Sequence, residues 1–150
     1  MKLTDYTDYT LRTLIFLGLH RDELVTIQQI ADGYGISKNH LMKIVHRLSL
    51  DGIVETVRGR SGGVRLKQPP EAIRIGPIVR ASEQDFTLVE CFGRSNSNCV
   101  LAPACQLKEL LHHAMESFFA VLDGRTLADV IRNADQMRAH VVLHRPAELP

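Results

Sequence analysis

Apolar residues recur at helical spacing through the first fifty positions of the chain and switch to alternation just after them. Leu11, Leu14, Ile15 and Gly18 stand at i, i+3, i+4 and i+7, which predicts a first helix over about Asp5 to His20, with Thr4 and Asp5 as cap-type residues. Ile27, Ile30, Ala31 and Tyr34 repeat that spacing after Thr26. Leu41, Ile44, Val45 and Leu48 repeat it once more beyond a Gly35-Ile36 turn, with Ser37 at the cap position and Asp51-Gly52 at the end. Two short amphipathic helices joined by a glycine-containing turn read as a helix-turn-helix. Past Gly52, Ile53 to Arg58 is β-branched and strand-like, Gly59 to Gly63 is a turn, and Val64 to Leu66 alternates as the returning strand. A hairpin in that place is a wing.

Pro69-Pro70 breaks the chain, and Gly76-Pro77 opens a short helix with proline near its first position. Residues 84–104, with Gly93, Ser95, Asn96, Ser97, Asn98 and Pro103 between the cysteines, read as a long ordered loop of the kind kept for function. The longest helix is predicted from about Pro103 to Leu122. Leu107, Leu111, Ala114, Phe118 and Val121 form its heptad seam, widened by Leu110, Met115 and Leu122, and this seam suggests pairing between two copies. Gly124 ends that helix, and Thr126 to Asp129 resembles a capping box for a last short helix to about Asn133. The expected fold is mainly α with a small β-hairpin. It divides into a winged helix-turn-helix over 1–83, a cysteine loop over 84–105, a dimerisation helix with the following short helix over 103–133, and a tail over 134–150 that lacks periodicity and is expected to be mobile.

Composition narrows the class. With 150 residues and 45% hydrophobic content, the chain has enough apolar material for one ordinary core. No apolar run approaches the roughly 20 residues of a membrane span, and MKLTDYTDYT lacks the zones of a signal peptide, so the expected location is the cytoplasm. The net charge of +1 conceals an asymmetry. Gly35 to Lys67 holds Lys38, Lys43, Arg47, Arg58, Arg60, Arg65 and Lys67 against Asp51 and Glu55, a net of +5, whereas residues 71–150 hold 8 basic and 10 acidic side chains. One end of the molecule is built to face an anion.

That end carries the first candidate chemistry. With Leu41, Ile44, Val45 and Leu48 buried, the second helix of the motif offers Lys38, Asn39, Met42, Lys43 and His46 on its other face, with Ser37 and His40 near its start. Asn and Lys there suit base edges in a major groove. Arg58 and Arg60, with the amides of Gly62 and Gly63, suit phosphates or a narrow minor groove. A solvated helix face and an ordinary basic hairpin are the plainer alternative, but charge and motif coincide as binding to double-stranded DNA requires. The second candidate is the spacing C-x7-C-x5-C of Cys91, Cys99 and Cys105. Three cysteines argue against a disulfide framework in a reducing compartment. A soft metal or an iron–sulfur cluster suits three thiolates, while plain burial as small apolar side chains is the alternative. Three thiolates leave a fourth place for a carboxylate, a histidine or an exogenous molecule. His112 and His113 point to different faces of the long helix, and His113 stands eight residues past Cys105, about 12 Å along the axis, which makes them poor ligands at the cysteine loop. No G-x-S-x-G, phosphate-cradling glycine loop or H-E-x-x-H occurs, so the chain is not read as an enzyme.

The segments LTDYTDYTLR, IADGYGISKNHLMKIVHRL, VRGRSGGVRL, IRIGPIVR, ECF with the later APACQLK, and SFFAVLDGRTLADVI resemble, in order and spacing over about residues 1–132, the bacterial winged-helix iron–sulfur regulators. NHLMKIVH and LDGRTLADVI resemble the nitric-oxide-sensing repressors of that family most. The resemblance implies a homodimer on a palindromic operator, with an iron–sulfur cluster, [4Fe-4S] or [2Fe-2S], held by Cys91, Cys99 and Cys105. The implied fourth ligand is Asp8 of the partner subunit, near the start of the first helix. It further implies release of nitric-oxide detoxification promoters when nitric oxide reaches the cluster. The cluster-assembly type of the family has a histidine three residues after its last cysteine, where this chain has Lys108. A response to iron supply or redox state through the same cysteines is the alternative.

Overall fold

The computed structural model describes residues 2–89, 92, 99–101 and 104–141. Helix α1 (Asp5–Leu19) is the hub. Thr4 caps it by accepting from the Thr7 amide, and Asp5 and Asp8 lie in its first turn, where acidic groups suit the helix dipole. The expected stripe is only part of its buried surface: Leu14 and Gly18 are buried, Leu11 and Ile15 half-buried, while Thr7, Thr10, Thr13, Phe16, Leu17 and Leu19 are also enclosed. Burial on several sides follows from position, since the helices Lys38–Leu50, Ile75–Ser82, Leu127–Val130 and Ala134–His140 and the strand Gly63–Leu66 all pack against α1. The threonines tolerate it because Thr10 and Thr13 hydroxyls donate to the carbonyls of Tyr6 and Tyr9, each at 2.7 Å.

Helix α2 (Ile27–Tyr34) opens on a complete capping box, Thr26 with Gln29, and ends on Gly35 in the left-handed region at φ 64°. Helix α3 (Lys38–Leu50) buries Leu41, Ile44, Val45 and Leu48 as its periodicity requires. Ser37 occupies the cap position, yet its side chain makes no capping hydrogen bond; its carbonyl accepts the Leu41 amide instead. Strands β1 (Val54–Val57) and β2 (Gly63–Leu66) pair antiparallel with Val54 opposite Leu66 and Val57 opposite Gly63. Val25 pairs with Val64 on the far side of β2 through N–H···O bonds of 3.0 and 2.7 Å, so the wing is tied to the chain entering α2.

A single turn of 3₁₀ helix (Pro70–Ala72) leads to α4 (Ile75–Ser82), which is followed by α5 (Gln106–Asp123), α6 (Leu127–Val130) and α7 (Ala134–His140). The capping box expected at Thr126 and Asp129 is present at the start of α6. In the expected mobile tail, residues 134–140 form α7, which rests on α1; residues 142–150 lie outside the described residues. The core runs from Phe16 and Leu17 through Ile30, Leu41, Ile44 and Val64 to Leu127, joining head and C-terminal helices in one cluster. No described helix is long and apolar enough to cross a membrane.

Candidate nucleic-acid interface and sensor site

The turn between α2 and α3 fixes the start of α3, the helix expected to read DNA. Gly35 supplies the positive φ, Ile36 plugs into the core, and Ser37, Lys38, Asn39, His40 and Lys43 are then all exposed, with Met42 beside them. In the wing, Arg58 and Arg60 are exposed on a turn whose Gly59 has φ 113°. A Cβ on Gly62 would stand 2.3 Å from the Val57 carbonyl oxygen, so only glycine closes this hairpin. Gly63 has the same reason for its identity, with Val25 O at 2.9 Å. Glu55 holds Arg65 in a salt bridge across the strands, which leaves the wing tip to Arg58 and Arg60.

Sequence reasoning missed one feature of this face. Lys38 shares an open groove of about 290 Å³ with Gly62 and Gly63 of the wing and with Thr26, Ile27 and Gln28 at the start of α2. The capping box at Thr26 was the available signal: it marks a helix N-terminus, whose free amides favour an anion. Of the expected DNA-binding residues, Lys38, Gly62 and Gly63 line this groove, whereas Ser37, Asn39, His40, Lys43, Arg58 and Arg60 do not.

Cys99 is exposed and Cys105 half-buried, and both are free thiols. Cys91, with Gly93, Ser95, Asn96, Ser97, Asn98 and Pro103 of the cysteine loop, lies outside the described residues. Cys105 is the N-cap residue of α5, and its side chain makes no capping hydrogen bond. Its sulfur is therefore not committed to the helix amides, and the positive end of an 18-residue helix favours an anionic group beside it. This donor set fits a thiolate-held iron–sulfur group. Among the described residues no three His, Cys, Asp or Glu side chains converge as a metal site within one chain.

Cys105 lines an open cleft of about 1160 Å³ together with Phe92, Lys108, Glu109, His112 and His113. Both histidines border this wide cleft, although as consecutive residues of α5 they stand about 100° apart around its axis. His112 also pairs with Glu116 at 3.4 Å and sets its ring edge-on to Phe92. Asp8 is absent from the lining of this cleft. It stands half-exposed on α1 and accepts from Arg12 Nε at 2.9 Å. Its neighbour Tyr9 lies with its ring centroid 6.0 Å from that of His40 in the recognition helix, a contact between α1 and the reading surface that only the fold reveals.

The two ends of the molecule are joined at the foot of α5. Arg80 of α4 grips Asp123 with both guanidinium nitrogens at 2.6 and 2.7 Å and lies over the Phe119 ring at 4.1 Å. Arg80 holds the Asp123 carboxyl below its ordinary range. Ile75 and Leu127 amides complete the joint by donating to Arg125 and Ile73 carbonyls at 3.0 and 2.8 Å.

A family model described as Rrf2, iron-dependent transcriptional regulator, matches residues 3–133. The HTH-type transcriptional regulator NsrR of Bacillus licheniformis is 53% identical over 139 residues, covering 92% of this chain and 97% of that protein. NsrR of Bacillus subtilis is 53% identical over 138 residues, with 91% and 94% covered. Among solved structures, T. potens IscR superposes with a TM-score of 0.73 at 25% identity over 92% of this chain and 91% of that one. CymR, the global cysteine regulator of B. subtilis, superposes with a TM-score of 0.72 at 27% identity over 89% and 98%.

Proposed function

The chain belongs to the Rrf2 family of transcriptional regulators and is of the NsrR type, and from that premise we propose that it is a cytoplasmic, dimeric repressor that senses nitric oxide through an iron–sulfur cluster. The relatives are transcriptional regulators, not enzymes. On this reading two copies bind a palindromic operator of double-stranded DNA. Ser37, Lys38, Asn39, His40 and Lys43 enter the major groove, while Arg58, Arg60, Gly62 and Gly63 follow the backbone. Cys91, Cys99 and Cys105 of one copy and Asp8 of the other hold the cluster, [4Fe-4S] or [2Fe-2S].

One observation carries the sensor half of this reading: Cys99 and Cys105 are free thiols, and the sulfur of Cys105, the N-cap residue of α5, is left uncommitted by the helix it begins. When bound, the cluster would supply iron open to nitric oxide. An oxygen ligand is the weakest in a mainly thiolate set, and Asp8, which would be that ligand, is held by the Arg12 guanidinium in the single chain. Because Tyr9 follows Asp8 and touches His40, a shift of α1 reaches the N-terminus of the recognition helix, where base contacts are made. A response to iron supply through the same cysteines is the second reading, favoured by the description of the family as iron-dependent.

The test is isolation without oxygen, with iron and sulfide counted per chain by native mass spectrometry and duplex binding followed as nitric oxide is added. Brown protein that releases its operator at near-stoichiometric nitric oxide supports the proposal; a colourless preparation with full operator affinity overturns it. Release by chelation of iron but not by nitric oxide selects the second reading. Asp8→Ala tests the fourth ligand: cluster lifetime and nitric oxide response both change if Asp8 bridges the copies, and neither changes if it does not.

A further inference from the structure

Helix α7 lies after residue 133, the last that the family model matches, yet it is fastened to the head at two points. Helix α1 has no basic residue in its own last turn, so its final carbonyls lack the usual cationic partner. Arg138 supplies it from α7, donating through Nε to the Leu19 carbonyl at 2.9 Å, while its Nη1 pairs with Asp135 at 3.0 Å. Three residues on, Val141 packs half-buried on the core against Gly33 of α2. A Cβ on Gly33 would come within 3.5 Å of Val141 and 2.9 Å of Phe16, so Gly33 is the notch that admits both. Helix α7 thus braces α2, the helix that positions the recognition helix.

Beside these fastenings sits the buried imidazole of His20. It stacks tilted on Phe16 at 4.8 Å, and its Nε2 finds no hydrogen-bond partner among the described residues. From its own turn Glu23 faces it and favours a proton. From α7 the Arg138 guanidinium faces it and disfavours one, with Asp135 occupying the far side of that guanidinium. From α2, Tyr34 meets the other edge of Phe16 at 5.6 Å. We infer that α7 is a latch on the DNA-reading head, with Arg138 as its catch and His20 as a proton-sensitive release. Neutral His20 lets Arg138 close on Leu19. Protonated His20 sets a second cation beside Arg138 and gives the ring a further N–H without an acceptor, so the closed state is penalised and α7 lifts from α1 and α2. Burial already pushes the imidazole below its ordinary range, as a closed latch requires.

The test is hydrogen–deuterium exchange on the full chain at about pH 7.5 and about pH 5.5, either side of the ordinary imidazole range, corrected for the intrinsic pH dependence of exchange. Protection of the Met137 to Val141 amides is expected to fall about tenfold or more, the change that one pH unit brings to a protonation equilibrium. His20→Phe, which keeps the ring contact and removes the titration, is expected to stay protected at both values. Arg138→Gln, which leaves the core untouched, is expected to be unprotected at both. Protection that ignores pH in the wild type, or that falls equally in His20→Phe, overturns the latch. A second arm rests on the DNA-binding reading: duplex affinity is expected to drop more steeply with acid in the wild type than in His20→Phe. If no variant binds duplex at either pH, it is the DNA reading that fails, and the exchange arm still decides the latch.

Discussion

Gly76 is where a single atom separates a tight joint from a broken one. A Cβ there would lie 1.8 Å from Asp123 Oδ1 and 3.0 Å from the Asp123 amide. The carboxylate cannot swing aside cheaply, because both its oxygens are held by Arg80. Gly76→Ala is therefore expected to destabilise the chain by about 1 to 3 kcal/mol, the usual range for overpacking, read as a lower denaturant midpoint with the foot of α5 losing exchange protection first. The charged groups set a pH profile with a definite sign. In the unfolded chain His20 takes up its proton as pH falls through about 6.5, while in the folded chain burial keeps it neutral to lower pH. The unfolded state then binds more protons, so this contribution is whole above about 6.5 and is lost as pH falls below it. Asp123 and Asp129, both held below their ordinary range in the fold, add a second loss in more acid solution, below about 3.9, the unfolded carboxyl value. Denaturant midpoints measured across this range should fall in two steps, and His20→Phe should erase only the first. A midpoint that rises from pH 7 towards about 5.5 would contradict the assignment.

At the scale of elements, the wing and the recognition helix answer differently to substitution. Gly62→Ala forces a Cβ against the Val57 carbonyl, so the turn must open and the tip carrying Arg58 and Arg60 must move. Duplex affinity should drop for every sequence alike, whereas stability should change little, because the hairpin tip is exposed and outside the core cluster. Arg60→Ala keeps the turn and should lower the slope of log affinity against log salt by about one, the mark of a single lost phosphate contact; an unchanged slope places Arg60 off the backbone. These elements were legible in the sequence for a physical reason. Their boundaries are local, set by Gly35, by Gly59 to Gly63 and by Thr126 with Asp129, each present in the fold, while Ser37 holds its cap position without the side-chain bond. What was not legible depends on contacts across the chain. The buried threonines of α1 follow from its place at the hub, and the contact of Tyr9 with His40 joins two helices. Helix α7 shows no apolar stripe because it is held by Arg138 on a carbonyl 119 residues away. That His112 and His113 border one cleft with Cys105 was likewise not legible, because spacing along an axis says nothing of how wide a cleft beside it is.

For the whole molecule, on the dimer reading, the decisive quantity is the distance between two reading heads. Helix α5 has no buried residue in the single chain, and Leu107, Leu110 and Val121 are 59%, 64% and 67% exposed. Its foot is locked to the head through Arg80 and Asp123, so whatever pairs the α5 helices also fixes the heads relative to one another. On the dimer reading, Leu110→Glu places a charge in the apolar seam, and the chain should sediment as a monomer while its own fold, which leaves Leu110 exposed, persists by circular dichroism. Operator binding supplies the sharper check. A two-fold protein engages half-sites about 34 Å apart, one turn of about 10 base pairs, with both recognition helices on one side of the duplex. Inserting about five base pairs between the half-sites rotates one of them to the opposite side, a change that no rigid pair of heads can follow. The wild type should then bind no better than to a single half-site, and inserting a full turn should not restore it, because the locked foot of α5 sets the separation as well as the angle. Leu110→Glu should be indifferent to both insertions, since each monomer reads its half-site alone. If the wild type tolerates the half-turn insertion, the heads are not held by α5, and the route from Asp8 through α1 to the recognition helix would have to control each head by itself.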